Sequence, residues 1–337
     1  MDPVVWSADE AAERLTGPTA DLDAGILRGV PAIVVDDAHL LPADALDPLA
    51  LLPLVCIGVV APDANAPGFD AVAPDLVTGR LLAEAVHDRP NAATALAQVL
   101  RASEGQATEA ALLLESTAYA TLQAGPEFAA WLAGRGRRVR PGEPDPPVLV
   151  DDDGARVRLT LNRPRLHNAY SAAMRDALVE ALRALVAGDE RPVLLVGAGP
   201  SFCAGGDPAE FGSVDDPATA HLIRTTANAA PWMDRLADRL TVRVHGAAVG
   251  AGVELAAFAH RVEATDDATF CLPEVSMGLI PGAGGTLSVP RRIGRQRTLA
   301  WCLEGATIDA ATALAWGLVD QVDWGRPEEA PRGARGS

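Results

Sequence analysis

Positive charge is in short supply in this chain: 28 Lys and Arg stand against 45 Asp and Glu in 337 residues, a formal net charge of −17. That balance argues against binding DNA or RNA over a broad surface, which needs clustered cations. It leaves room for a small anion held by a few local arginines. Cysteine is sparse as well. Cys56, Cys203, Cys271 and Cys302 are widely separated and form no C-x-x-C pair, so neither a zinc site nor a disulfide frame is expected; reduced thiols in a cytoplasmic protein are. Long apolar runs are missing, the longest, residues 49–61, being broken by Pro53 and Gly58. No membrane span is predicted. The opening M-D-P-V-V-W-S-A-D-E has neither the basic segment nor the apolar core of a signal peptide. Aromatics make up only 4% although 49% of residues are hydrophobic. With alanine abundant, this predicts helix-rich packing with small residues at the close contacts.

What is present divides into four stretches. Residues 1–80 read as a small α/β region: a helix over 7–16 with a Ser cap, short buried strands at 31–36 and 54–61, and a short helix between them. Residues 81–146 read as helix after helix (81–87, 90–101, 108–124 and one beginning at Pro126) closed by the proline-rich linker P-G-E-P-D-P-P at 141–147. In the strongest of these helices, Ala111, Leu114, Ala118 and Leu122 recur at helical spacing. Arg135, Arg137, Arg138 and Arg140 form the densest basic cluster in the chain. They read either as a solvated helix end or as a contact for a phosphate-bearing ligand. Residues 147–325 alternate strands with helices, starting with a hairpin, which points to a layered α/β structure with largely parallel pairing. The tail 326–337 reads as disordered.

Two familiar site patterns can be tested and fail. A dinucleotide fingerprint wants G-x-G-x-x-G or A, but the runs that begin at Gly197, Gly250 and Gly282 place Phe202, Leu255 and Leu287 at the last small position. A serine-hydrolase elbow wants G-x-S-x-G, and Cys203 stands where its last glycine belongs. What remains is two glycine-rich turns, each after a strand, C-A-G-G-D at 203–207 and G-A-G-V-E at 250–254. If they converge, their free amides could hold a carbonyl oxygen as it gains negative charge; close strand–helix packing would explain either turn alone. Glu254 and Glu274 sit among small or apolar residues, where a carboxylate needs a partner or a task. His39, His167 and His245 read as structural, Asp207 as ordering its turn, and Cys203 as a small packing residue.

From about residue 148 onward the pieces L-N-R-P-R-L-H-N-A, S-F-C-A-G-G-D, V-H-G-A-A-V-G-A-G-V-E-L-A, F-C-L-P-E-V-S-M-G-L-I-P-G-A-G-G-T and W-G-L-V-D-Q-V follow one another. In this order they resemble the crotonase (enoyl-CoA hydratase/isomerase) superfamily over residues 148–325. The resemblance implies a crotonase-like spiral of ββα units, preceded here by the α/β and helical regions. It implies an acyl-CoA thioester as substrate, with CoA as part of that substrate and no cofactor or metal, and a homo-oligomer, trimer or hexamer. It implies an oxyanion hole from the backbone amides of Ala204 and Ala251, and Glu254 and Glu274 as the acid/base pair that adds water to a 2-enoyl-CoA. Isomerisation, decarboxylation or cofactor-free oxygenation through the same enolate, and a non-catalytic scaffold, are the competing readings. A pair of glutamates favours hydration.

Two departures stand out. Ala251 occupies a position where the family usually has glycine, so its methyl is expected to crowd the substrate or turn the peptide. The family's closing helical region is also missing after the core, since the chain ends eighteen residues after Val319. Residues 90–140, with L-L-L-E-S-T-A-Y-A-T-L-Q-A-G-P-E-F-A-A-W-L-A-G-R, resemble that region. The expectation is a permuted crotonase whose helical lid precedes its core, with the arginine cluster near the CoA phosphates. Residues 1–80 have no assigned role.

Overall fold

The computed structural model describes residues 2–16, 26–61, 66–135, 146–188, 190–214 and 216–322. The expected tail, Arg137, Arg138, Arg140 and most of the linker lie outside them. In chain order the elements are β1 (Val4–Trp6), α1 (Ala8–Thr16), β2 (Ala32–Val35), α2 (Leu46–Leu51), β3 (Val55–Val59), β4 (Ala71–Ala73), α3 (Leu76–Asp88), α4 (Pro90–Ser103), α5 (Thr108–Gln123) and α6 (Pro126–Arg135). There follow β5 (Val148–Asp152), β6 (Val157–Leu161), α7 (Ala172–Gly188), β7 (Val193–Gly197), α8 (Pro217–Thr226), α9 (Ala230–Leu236), β8 (Leu240–Val244), β9 (Ala247–Val249) and α10 (Ala251–Ala256). The last are β10 (Arg261–Ala264), β11 (Thr269–Cys271), α11 (Gly285–Ile293), α12 (Arg295–Glu304), β12 (Ile308–Asp309), α13 (Ala310–Trp316) and β13 (Gln321–Val322).

Strands β1 to β4 form a parallel sheet in sequence order. Alternation along β2 and β3 sends Ile33, Val35 and Cys56 to one face, where Trp6, Ala11, Leu15 and Leu49 cover them. Val34 and Val59 point to the other face and meet α3 at Gly79, where a methyl would lie 3.0 Å from Val34. Helix α3 begins five residues earlier than the periodicity predicts, because Asp75 caps it by accepting the Thr78 amide at 2.7 Å. The sheet is fastened to the rest of the chain by a buried ion pair. Arg101 on α4 presents Nε to Asp70 Oδ1 at 2.5 Å and Nη2 to Asp70 Oδ2, and it also donates to the carbonyls of Leu52 and Leu54. From α12, Arg295 reaches the Phe69 carbonyl at 2.7 Å.

The second half is built on two sheets. Among the described residues the larger runs β13-β10-β8-β7-β6-β5, parallel except for the β5–β6 hairpin, and the smaller runs β12-β11-β9. Successive strands alternate between them: β8 lies in the large sheet, β9 in the small one, and α10 follows; β10, β11 and then α11 repeat the order. A bridge between Cys203 and Ala248 adds the segment after β7 to the small sheet. This repetition is the ββα spiral. Its consequence for function is that the turns leaving the small sheet, at 203–207, 250–254 and 271–274, stack side by side.

Helices α4, α5 and α6 pack on this core. Ser116 on α5 pairs with His221 Nδ1 on α8 at 2.9 Å, and Thr108 donates to Asp234 on α9 at 2.6 Å. Glu127 of α6 accepts the Asn91 and Ala92 amides at 2.7 and 3.1 Å, placing a carboxylate on the positive end of α4.

Candidate active site

The stacked turns, α5, α6 and α8 enclose a cavity of about 500 Å³. Ala204, Gly206, Ala251, Glu254 and Glu274 line it from the spiral, and Tyr119, Gln123, Trp131 and Arg135 from the preceding helices. Glu254 and Glu274 are thus brought to one cavity, both buried.

Glu254 ends the first turn of α10. Its Oε2 accepts the amides of Ala283 at 2.6 Å and Gly285 at 2.8 Å. Burial is the largest influence on this carboxyl and pushes its pKa well above the usual range; the neighbouring carboxylates Glu274 and Glu115 push the same way, against the two amides. Glu274 opens a 3₁₀ turn, Glu274–Met277. Its Oε2 is buried without a hydrogen-bond partner, and burial raises its pKa to about 7. Gly250 makes room for it. A methyl there would come within 2.3 Å of Glu274 Oε1, and the backbone already sits at φ 48°.

A third carboxylate joins them from the helical region, one that hydrophobic periodicity assigns to no role. Glu115 on α5 is 2% exposed. Its Oε1 accepts the Gly284 amide at 2.9 Å, and its Oε2 accepts the Thr286 amide at 3.0 Å and the Thr286 hydroxyl at 2.6 Å. Burial raises its pKa to about 7. Residues 283 to 286, which lead into α11, are therefore held alternately: 283 and 285 by Glu254, 284 and 286 by Glu115. One turn further along α5, the Tyr119 ring packs on Gly282 so closely that a methyl there would lie 2.4 Å from it. Helix α6 closes on Gly278, at the end of the Glu274 turn, where an added methyl would lie 2.6 Å from the Phe128 amide.

The two glycine-rich turns lie against each other, with the Val249 amide donating to the Cys203 carbonyl at 2.9 Å. The Ala204 amide, expected as an oxyanion donor, has a partner within the loop. The Ala204 amide donates to the His167 carbonyl at 2.9 Å, so that donor is already engaged in holding the loop. The Gly206 amide, two residues on, lines the cavity and donates to no group among the described residues. Ala251 is the first residue of α10, and its amide has no partner within the helix.

The remaining polar residues of these motifs act on the scaffold. His167 pairs through Nδ1 with Ser201 at 2.9 Å, and His245 through Nε2 with the Gly199 carbonyl at 2.8 Å. Asp207 pairs with Arg163 at 2.8 Å and accepts the Ala209 amide. Burial pushes the Cys203 thiol up to about 12, leaving it without thiolate character near neutrality. Of the arginine cluster, Arg135 is in the described structure: it lines the cavity with its guanidinium 4.7 Å from the centre of the Trp131 ring.

The family model of enoyl-CoA hydratases/isomerases matches residues 154–328. YhaR of Bacillus subtilis, named as an enoyl-CoA hydratase/isomerase, is 33% identical over 53% of this chain and 71% of its own length. The 2,3-dehydroadipyl-CoA hydratase of Escherichia coli is 36% identical over 52% of this chain and 68% of its own. A solved enoyl-CoA hydratase from Mycobacterium smegmatis is 34% identical, covers 53% of this chain and 70% of its own, and superposes with a TM-score of 0.49. The residues matched by the family model carry the stacked turns and both spiral-borne glutamates, and by that match and by the two sequence relatives the chain belongs to the enoyl-CoA hydratase/isomerase family.

Proposed function

We propose that this protein hydrates a 2-enoyl-CoA. The observation that carries the reading is the pair Glu254 and Glu274, buried and facing one cavity beside two unengaged amides. Addition of water to a thioester conjugated with a C2=C3 double bond passes through an enolate, so negative charge gathers on the thioester oxygen. The Gly206 and Ala251 amides would receive that oxygen; losing one such donor costs an enzyme about 3–4 kcal/mol. Glu254, fixed by the Ala283 and Gly285 amides, is placed to orient and activate water for attack at C3. Glu274, with one oxygen unpartnered, is placed to deliver a proton to C2. Three carboxyls buried together do not ionise together, so protonated and ionised forms can coexist in the site near neutral pH. No cofactor enters beyond the CoA of the thioester. The helices that cover the cavity come from before the core, which supports the permuted-lid reading.

Turnover in deuterium oxide separates this reading from its rivals. Hydration places a hydroxyl at C3 and one deuterium at C2. A product with a migrated double bond and no hydroxyl would indicate isomerisation instead, and recovery of unchanged bound substrate would indicate a scaffold.

A further inference from the structure

Among the described residues that line the cavity, two side chains carry buried polar atoms without a hydrogen-bond partner. One is Glu274, placed above in the proton transfer. The other is Arg224 on α8, whose Nε and Nη2 are both unpartnered. The rest of that guanidinium is well held. Its Nη1 donates to Gln123 at 3.2 Å, and its Cζ lies 4.3 Å from the centre of the Tyr119 ring, a cation–π contact that fixes the plane. The edge left over is the Nε–Nη2 fork, which binds the two oxygens of a carboxylate side-on. The same edge is filled elsewhere in the molecule, where Arg101 gives Nε and Nη2 to the two oxygens of Asp70.

Leaving a buried guanidinium edge unpaired costs stability. Burial also pushes the pKa of Arg224 down, though arginine stays charged. Its position indicates which anion would pair with it. Tyr119, which it covers, packs on Gly282, next to the turn that Glu254 and Glu115 hold. Arg224 therefore stands at the end of the cavity where the chemistry is set.

Resting on the reading of this cavity as an acyl-CoA site, we propose that Arg224 is a specificity-determining residue that receives a carboxylate carried by the substrate's acyl chain. The enzyme then prefers CoA thioesters of dicarboxylic acids to those of fatty acids of the same length.

Calorimetric binding of saturated thioesters, which have no double bond to hydrate, tests this without requiring turnover. Malonyl-, succinyl-, glutaryl- and adipyl-CoA are compared with monocarboxylic acyl-CoAs of equal carbon number. At one of these lengths the dicarboxylic partner should bind about tenfold tighter or more. Arg224→Met should abolish that preference, the dicarboxylic series losing about tenfold more affinity than the uncharged series, and Arg224→Lys should restore it only in part. No preference in the parent protein at any length would overturn the proposal. So would an equal loss of both series in Arg224→Met, which would assign the guanidinium to the CoA phosphates or to the fold. Failure of hydration alone would strike the proposed reaction and leave this preference standing.

Discussion

The two walls of the cavity are made in different ways. On the spiral side, the site consists of backbone turns and two glutamates in short segments, where each position is fixed by its neighbours. Gly250 must lack a side chain to admit Glu274, and Glu254 must follow four residues later to reach the Ala283 and Gly285 amides. On the helical side, the site consists of side chains borne at every fourth position of α5: Glu115, Tyr119 and Gln123 hold, in turn, the turn leading into α11, Gly282 and Arg224. The first wall is a motif; the second is a stripe. A motif can be recognised as a string, whereas a stripe is recognised only when its neighbours are known.

The largest effect should come from the first wall. Glu254→Gln and Glu274→Gln should each slow hydration by roughly a hundredfold or more, measured as kcat/KM on a short enoyl-CoA. A parent-like rate in either variant would remove that residue from the mechanism. Next comes the second wall. Glu115→Ala leaves two amides and a hydroxyl buried without their acceptor and should cost about 1–3 kcal/mol in urea unfolding. It should also lower kcat/KM about tenfold, because the turn that positions Glu254 loosens. If stability falls and the rate does not, the stripe is packing only.

The buried carboxyls also set a pH dependence. Folded Glu115 and Glu274 hold their protons up to about 7, whereas an unfolded glutamate releases its proton near 4.3. Between those values the folded chain binds more protons, so stability falls as pH rises. The slope reaches about 1.4 kcal/mol per pH unit for each group, shared between coupled groups, and the part due to these two flattens above about 7. Urea midpoints at pH 5 and 8 should show a smaller drop in Glu274→Gln than in the parent; an equal drop would mean that Glu274 is not the group being titrated. The smallest effect is expected from Ala251→Gly, which keeps the amide and removes a methyl. The rate should stay within about threefold, and a larger gain would show that the methyl crowds the substrate.

Legibility in the sequence follows the same division. The glycine-rich turns, Glu254, Glu274 and the alternation of strands and helices were readable, because turn geometry and burial constrain residue type at fixed spacing. At Ala204 the string stops short. A string shows that a turn offers amides, but only the bond to His167 shows which amide is engaged. Glu115 was hidden for another reason: four residues after Ala111 and seven before Leu122 it lies on the buried face of α5, but the spacing names no partner for a carboxylate there, and only the bonds to Gly284 and Thr286 show its task. Arg224 was hidden for a related reason: its meaning lies in the edge that Gln123 and Tyr119 leave open, on a helix about a hundred residues away.

The most direct measurement is the ultraviolet absorbance of an enoyl thioester. Crotonyl-CoA mixed with the full chain should lose its enoyl absorbance catalytically and yield a 3-hydroxyacyl-CoA. Within the dicarboxylic series, a 2-enoyl-CoA bearing a terminal carboxylate should lose it faster still. A protein that binds CoA thioesters of both kinds yet leaves the enoyl absorbance of both unchanged would contradict the account.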